Sequence, residues 1–160
     1  MFFIVDLNLS KNDNNKISRG ISRGISRGFE NDSNEKSSYS PLEYTIWINN
    51  LKNAELLIKN EKIDVNAISE FEYKKNKDKI QIITHNPLCR AILKNNADSV
   101  KLIMSHKDTD VNKKLKKYEK SEYSHKTEIS LLQYAIDSKN TEIIKLFLDN
   151  PNTDVNISSN

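Results

Sequence analysis

Cysteine is almost missing from this chain. Cys89 is the only one in 160 residues, which excludes an intrachain disulfide and fits a reducing compartment. Glycine is nearly as scarce, and Gly20, Gly24 and Gly28 all fall in one short tract. That leaves no glycine for a phosphate-cradling loop elsewhere. No apolar run approaches the ~18 residues of a membrane span. The opening Met1-Phe2-Phe3-Ile4-Val5 is apolar, but Asp6 interrupts it and no basic segment precedes it, so it does not read as a signal peptide. The cytoplasm or the nucleus is the expected location. The sequons at Asn8, Asn31 and Asn156 then read as chance matches in an asparagine-rich chain. A net charge of +3 selects no class of partner, and an apolar content of 36% implies a modest core.

What the chain does have is self-similarity. Pro41 to Asn66, Pro87 to Asn112 and Leu131 to Asn156 align without a gap, and each ends in Asp-Val-Asn. Their starts lie 46 and then 44 residues apart. A fixed period marks supersecondary units that cannot bury their apolar faces alone. Residues 1–39 differ: Lys11 to Lys16 is wholly polar, and Ile17-Ser18-Arg19-Gly20 recurs twice more through Gly28. Glycine at every fourth position disfavours a helix, so this segment is expected to be flexible.

Column by column, each copy reads as two short helices. Ser40, Asn86 and Ser130 precede the first helix, where a side-chain oxygen can accept from an unpaired helical N–H. Pro41 and Pro87 take the first helical position, where a missing N–H costs nothing. Leu42, Leu88 and Leu132 begin an apolar face that Ile46, Ile92 and Ile136 continue one turn later. The first helix should close at Asn49, Asn95 or Lys139, since asparagine tolerates the left-handed conformation. Asn50, Asn96 and Asn140 follow and would cap the second helix.

These columns resemble the ankyrin repeat, whose pattern runs Thr-Pro-Leu-His-x-Ala, a Leu-rich second helix, then Asp-Val-Asn. The third copy carries the likeness best, in Leu131-Leu132-Gln133-Tyr134-Ala135, Ile143 to Leu148 and Asp154-Val155-Asn156. The resemblance implies an all-α, ankyrin-type helical-hairpin solenoid of three repeats (40–66, 86–112 and 130–156) within a domain spanning 40–160. Three departures stand out. Glu43, Cys89 and Gln133 replace the family histidine, and Asn49, Asn95 and Lys139 replace its glycine, with Lys139 the most strained. The third is the period, which exceeds the family's ~33 residues. The surplus lies in 67–85 and 113–129, which read as solvated loops or as lengthened inter-repeat fingers. The last copy remains apolar where a terminal unit is normally polar, which fits self-association through it, marginal stability or an incomplete gene model.

By the same resemblance the chain is a protein-interaction module, a scaffold or adaptor with no cofactor or metal, gripping a protein partner through a concave face and fingers. Contacts would come from the last positions of each first helix: Trp47 and Ile48, Leu93 and Lys94, Asp137 and Ser138. Tryptophan suits an interface anchor, although Trp47 has a second reading, as packing for the N-terminal segment. The alternative function is nucleic-acid or phosphate binding. Lys74, Lys75, Lys77 and Lys79, then Lys113, Lys114, Lys116, Lys117 and Lys120, lie among aromatics, and Arg19, Arg23 and Arg27 among glycines. Interspersed glutamates dilute both lysine clusters, however. The Arg-Gly-Ile-Ser spacing also suits a basophilic kinase. Catalysis finds no supporting pattern: Pro87 separates His85 from Cys89, and His106 and His125 have no partner at metal-ligand spacing. The chain is therefore not expected to be an enzyme.

Overall fold

The structure, a computed structural model, describes residues 36–37, 39–76, 79–119 and 126–158. The polar run 11–16, the Ser-Arg-Gly tract 17–28, Lys77, Lys120, Tyr123 and His125 lie outside the described residues. In chain order the elements are β1 (Lys36–Ser37), α1 (Pro41–Trp47), α2 (Leu51–Ile58), β2 (Ser69–Asn76), β3 (Lys79–His85), α3 (Pro87–Leu93), α4 (Ala97–Met104), β4 (Lys114–Glu119), β5 (Lys126–Ser130), α5 (Leu131–Asp137) and α6 (Thr141–Leu148).

The helix ends follow from side-chain chemistry. Ser40, Asn86 and Ser130 each accept a hydrogen bond from the N–H three residues on, at 3.2, 2.8 and 3.2 Å. Asn50, Asn96 and Asn140 cap the second helices in the same way. Asn49, Asn95 and Lys139 hold φ near 57, 55 and 57°, the left-handed region that ends a helix. At the first two sites the next N–H reaches back five residues, Asn50 to the Thr45 carbonyl and Asn96 to that of Ala91. In the third copy, where lysine replaces asparagine, the Asn140 N–H bonds instead to the Ser138 hydroxyl at 3.2 Å.

The expectation of an all-α, ankyrin-type solenoid is overturned. The described residues form a mixed α/β arrangement in which one antiparallel sheet, ordered β1-β2-β3-β4-β5, accompanies the six helices. Four strands are five to eight residues long, and the fifth is a two-residue edge. The segments 67–85 and 113–129 are thus neither solvated loops nor separate fingers. Each holds most of a hairpin, with Phe71 opposite Ile83 in one and Leu115 opposite Ile129 in the other. The two hairpins join through Gln81, Ile82 and Ile83 opposite Glu119, Tyr118 and Lys117. Thr84 extends that seam: its hydroxyl accepts the Lys116 N–H at 2.6 Å and donates to the Lys116 carbonyl at 3.2 Å. The physical cause is a two-residue alternation in these segments, which places Phe71, Ile82, Thr84 and Leu115 in buried positions. From the 1–39 segment, β1 pairs with Phe71 and Glu72, and Tyr39 packs against α1 and β2.

Between the strands the helix pairs pack in chain order, α1 on α3 on α5 and α2 on α4 on α6. Their shared core runs from Leu42 and Ile46 through Leu88, Ala91, Ile92, Val100 and Ile103 to Leu131, Ile143 and Phe147. Two sets of asparagine side chains span the junctions. The Asn96 and Asn140 amides donate to the Asn49 and Asn95 side-chain oxygens at 2.7 and 2.8 Å. Asn66 donates to the Asp108 carbonyl and accepts the Asp110 N–H, at 2.6 and 2.9 Å. Asn112 does the same with Asn152 and Asp154, both at 2.8 Å. No described helix is long and apolar enough to cross a membrane.

Lys139 is the residue least suited to its backbone, since a Cβ in the left-handed region costs about 1–2 kcal/mol. Lys139→Gly should therefore raise the unfolding free energy by up to about 1 kcal/mol, after glycine's extra chain entropy is subtracted. Asn49→Gly should gain less, because asparagine already tolerates the conformation. Denaturant titration of the two variants beside wild type checks the order; equal changes would remove the strain at Lys139.

Candidate functional site

The residues at the ends of the first helices fall on neighbouring elements. Trp47, Leu93 and Asp137 are the last helical residues of α1, α3 and α5, and Ile48, Lys94 and Ser138 are their C-caps. The asparagine rungs that follow directly, Asn49 to Asn96 and Asn95 to Asn140, hold the three ends side by side. Ile48 and Leu93 are 44% and 48% exposed, high values for large apolar side chains. Lys94 and Asp137 are also exposed. Asp137 accepts a hydrogen bond from the Gln133 side chain at 2.8 Å, and the Ser138 hydroxyl donates to the Ala135 carbonyl. The face is thus apolar at Trp47, Ile48 and Leu93 and polar at Lys94, Asp137 and Ser138. Next to it lies an open depression of about 620 Å³, lined by residues that include Asn49, Lys94, Asn96, Asp98, Asn140 and Glu142.

Trp47 is only half-exposed. Its ring stacks on Tyr39, with centroids 5.7 Å apart and planes inclined by 28°, and lies 6.0 Å from Tyr44. Of its two sequence readings, contact with the segment before α1 is the one present here. Lys114, Lys116 and Lys117 lie along β4, and Lys116 sits opposite Glu128 of β5.

A buried charged cluster lies behind Tyr39, and sequence reasoning had missed it. The Glu43 side chain is fully buried, and its Oε1 accepts from Arg90 Nε at 3.1 Å. Arg90 Nη2 also lies 2.9 Å from His85 Nδ1. A guanidinium can only donate, so Nδ1 accepts and the imidazole is neutral, with its proton on Nε2. The guanidinium carbon sits 4.6 Å from the Phe71 ring centre and 5.5 Å from that of Tyr39, within the range of cation–π attraction. Burial pushes the Glu43 carboxyl above the usual carboxylate range, opposed by the Ser69 hydroxyl and by Arg90. Burial also lowers His85 to about 3, and the Arg90 charge adds to the effect. A signal was available in the sequence. Glu43 stands in the inward column that holds Cys89 in the next copy, and Arg90 is the only arginine outside the Ser-Arg-Gly tract.

The cluster fastens α1 to α3 and to the end of β3 through the Glu43–Arg90 and Arg90–His85 contacts. Cys89 beside it is fully buried, and burial raises its thiol well above the usual thiol range. Among the described residues no group of three or more His, Cys, Asp or Glu side chains is placed to hold a metal ion. Comparison with protein-family models, with curated proteins and with solved structures finds no match. The ankyrin assignment therefore gains no support from relatives, and the sheet overturns it.

His85 gives the fold a defined pH dependence. Its folded-state pKa lies below the ordinary 6.5, so the stability it contributes is complete above 6.5 and is lost as pH falls towards 3. One such proton adds a slope of at most about 1.4 kcal/mol per pH unit. Glu43 acts in the opposite sense. Its raised pKa favours the protonated folded state, a contribution held below the ordinary 4.5 and lost as pH rises through the folded value. Denaturant titrations from neutral pH down to about pH 4 should show wild type losing stability faster than His85→Gln. Parallel profiles would mean that another group titrates.

Proposed function

We propose that the chain is a protein-binding module whose contact face is formed by the ends of α1, α3 and α5. The observation that carries this is the adjacency of Ile48 and Leu93. Both are large apolar residues with nearly half their surface in water, at positions fixed by helix caps and asparagine rungs. Isolated apolar residues on a surface are ordinary, whereas apolar residues held together on a rigid frame favour a partner. Because the frame is ordered beforehand, binding loses little conformational entropy on this side. The polarity gradient along the face defines the partner's chemistry. Apolar side chains would meet Ile48 and Leu93, polar groups would lie toward Lys94 and Ser138, and a cationic group would meet Asp137.

Truncating exposed residues leaves the core intact, so the face can be tested without unfolding the protein. Affinity capture from extract of the source cells is compared for wild type, for Ile48→Ala combined with Leu93→Ala, and for the control Ile68→Ala, an exposed apolar residue outside the α1–α3–α5 ends. The double variant should lose at least tenfold in recovery of the specific partners, the effect of removing two anchors worth about 1 kcal/mol each, while the control retains them. Equal recovery from all three, with circular dichroism unchanged, would sink the assignment.

A further inference from the structure

A different surface, the outer side of α5 and α6, has the form of an internal junction left open. Ile46 and Ile92 are each 1% exposed because the next pair covers them, whereas Ile136 in the same column is 48% exposed. Val65 and Val111 are 1% and 4% exposed, and Val155 is 57% exposed. Leu148 is exposed as well, where its column partners Ile58 and Met104 are half-buried. The polar half of the junction is open too. Asn66 and Asn112 each grip the next copy by one carbonyl and, two residues later, one N–H. Asn156 occupies the same column, but its side chain grips nothing among the described residues.

The shape of the missing occupant can be read from the two filled junctions. It must present a turn with a free carbonyl at one residue and a free N–H two residues on, backed by an apolar helix. Among the described residues one such receiver is unused, at Lys62 and Asp64. Its internal bonds match those of the occupied turns. The Ile63 N–H donates to the Asn60 carbonyl at 2.9 Å, as Thr109 does to His106 at 3.1 Å and Thr153 to Asn150 at 3.0 Å. Asp64 accepts the Asn66 N–H at 2.9 Å, as Asp110 accepts that of Asn112 at 3.1 Å and Asp154 that of Asn156 at 2.9 Å. Beside the receiver lie Leu56, exposed here although Leu102 and Leu146 in its column are half-buried, and the half-buried Ile63.

We infer that two copies of this chain associate head to tail, with Asn156, Val155 and Ile136 of one docking on the 62–64 turn and Leu56 of the other. The contact is heterologous, so each added copy leaves a fresh head and tail, and growth does not close at a dimer. It also lacks one polar contact found inside the chain. Lys139 stands where Asn49 and Asn95 offer an amide oxygen, so no rung forms there. Association is accordingly weaker than the packing between pairs within one chain, and reversible.

The experiment is sedimentation velocity with light scattering on the full chain and on two exposed-site variants, Val155→Glu at the tail and Leu56→Glu at the head. Wild type should show a mean mass that rises with concentration without a plateau. Each variant alone should stay at the 18.5 kDa of one chain. Mixed in equal amounts, the variants should form a complex of twice that mass and nothing larger, because one free head meets one free tail. Asn156→Ala should weaken wild-type association about tenfold, the loss of two hydrogen bonds near the low end of their range. A wild type that stays monomeric overturns the inference, and so does a Leu56→Glu variant that still dimerises, which would indicate tail-to-tail contact. Association by both single variants would place the contact elsewhere and also overturn it. Circular dichroism confirms folding of each variant.

Discussion

Everything in this molecule is arranged around one repeated bond pattern, a side-chain amide that takes both polar groups of a neighbouring turn. A carboxamide has a donor and an acceptor in the geometry of a peptide unit, so Asn66 and Asn112 act as short pieces of β-ladder. Each fixes the distance and the rotation between one helix pair and the next. Once those are set, α1, α3 and α5 lie side by side, the asparagine rungs after them fall within reach, and the strands meet in register. The apolar core supplies most of the free energy, while the amides specify which packing it adopts. A hydrophobic contact tolerates sliding; a two-point hydrogen bond does not.

The buried charges at the first junction show the same economy in a costlier form. Glu43 occupies a column that is filled by Cys89 in the second copy and Gln133 in the third. A carboxylate placed there must meet a cation, and Arg90 reaches it from α3 while stacking on Phe71 of β2. Ion pairs of this kind contribute little net stability once desolvation is counted. What they supply is uniqueness, because Arg90 has one place to go. Held between a carboxylate, an imidazole nitrogen and two aromatic rings, it ties an element of each kind to the first helix.

The helices were legible in the sequence because their signals are local. Ser40, Asn86 and Ser130 sit next to the turns they cap, and Asn49, Asn95 and Lys139 take positive φ where the column called for it. The sheet was not, since its evidence is spread thin. Ile80, Ile82 and Thr84 alternate with Gln81, Ile83 and His85, and Leu115 and Ile129 stand alone among lysine and glutamate. The alternation is broken by Ile83 and His85 in one run and diluted by lysine and glutamate in the other, and the partners of β3 and β4 lie more than thirty residues apart. Against a period of ~33 residues the same runs read as surplus, as loops or fingers, whereas paired they form the sheet that excludes an all-α fold. The candidate face was half legible. The resemblance, rather than any local pattern, pointed to Ile48 and Leu93, and nothing local linked Trp47 to Tyr39 or Glu43 to Arg90.

Strand and helix share their boundaries here, and that has a mechanical consequence. Ser130 is at once the last residue of β5 and the cap of α5, and His85 ends β3 one residue before the cap Asn86. No slack separates the two periodicities, so they work as meshed gears. Removing one residue from β3 would turn its side chains to the opposite face, and in the same stroke it would drag Asn86 out of phase with the helix it starts. The molecule can therefore tolerate changes of length only where the gears do not engage.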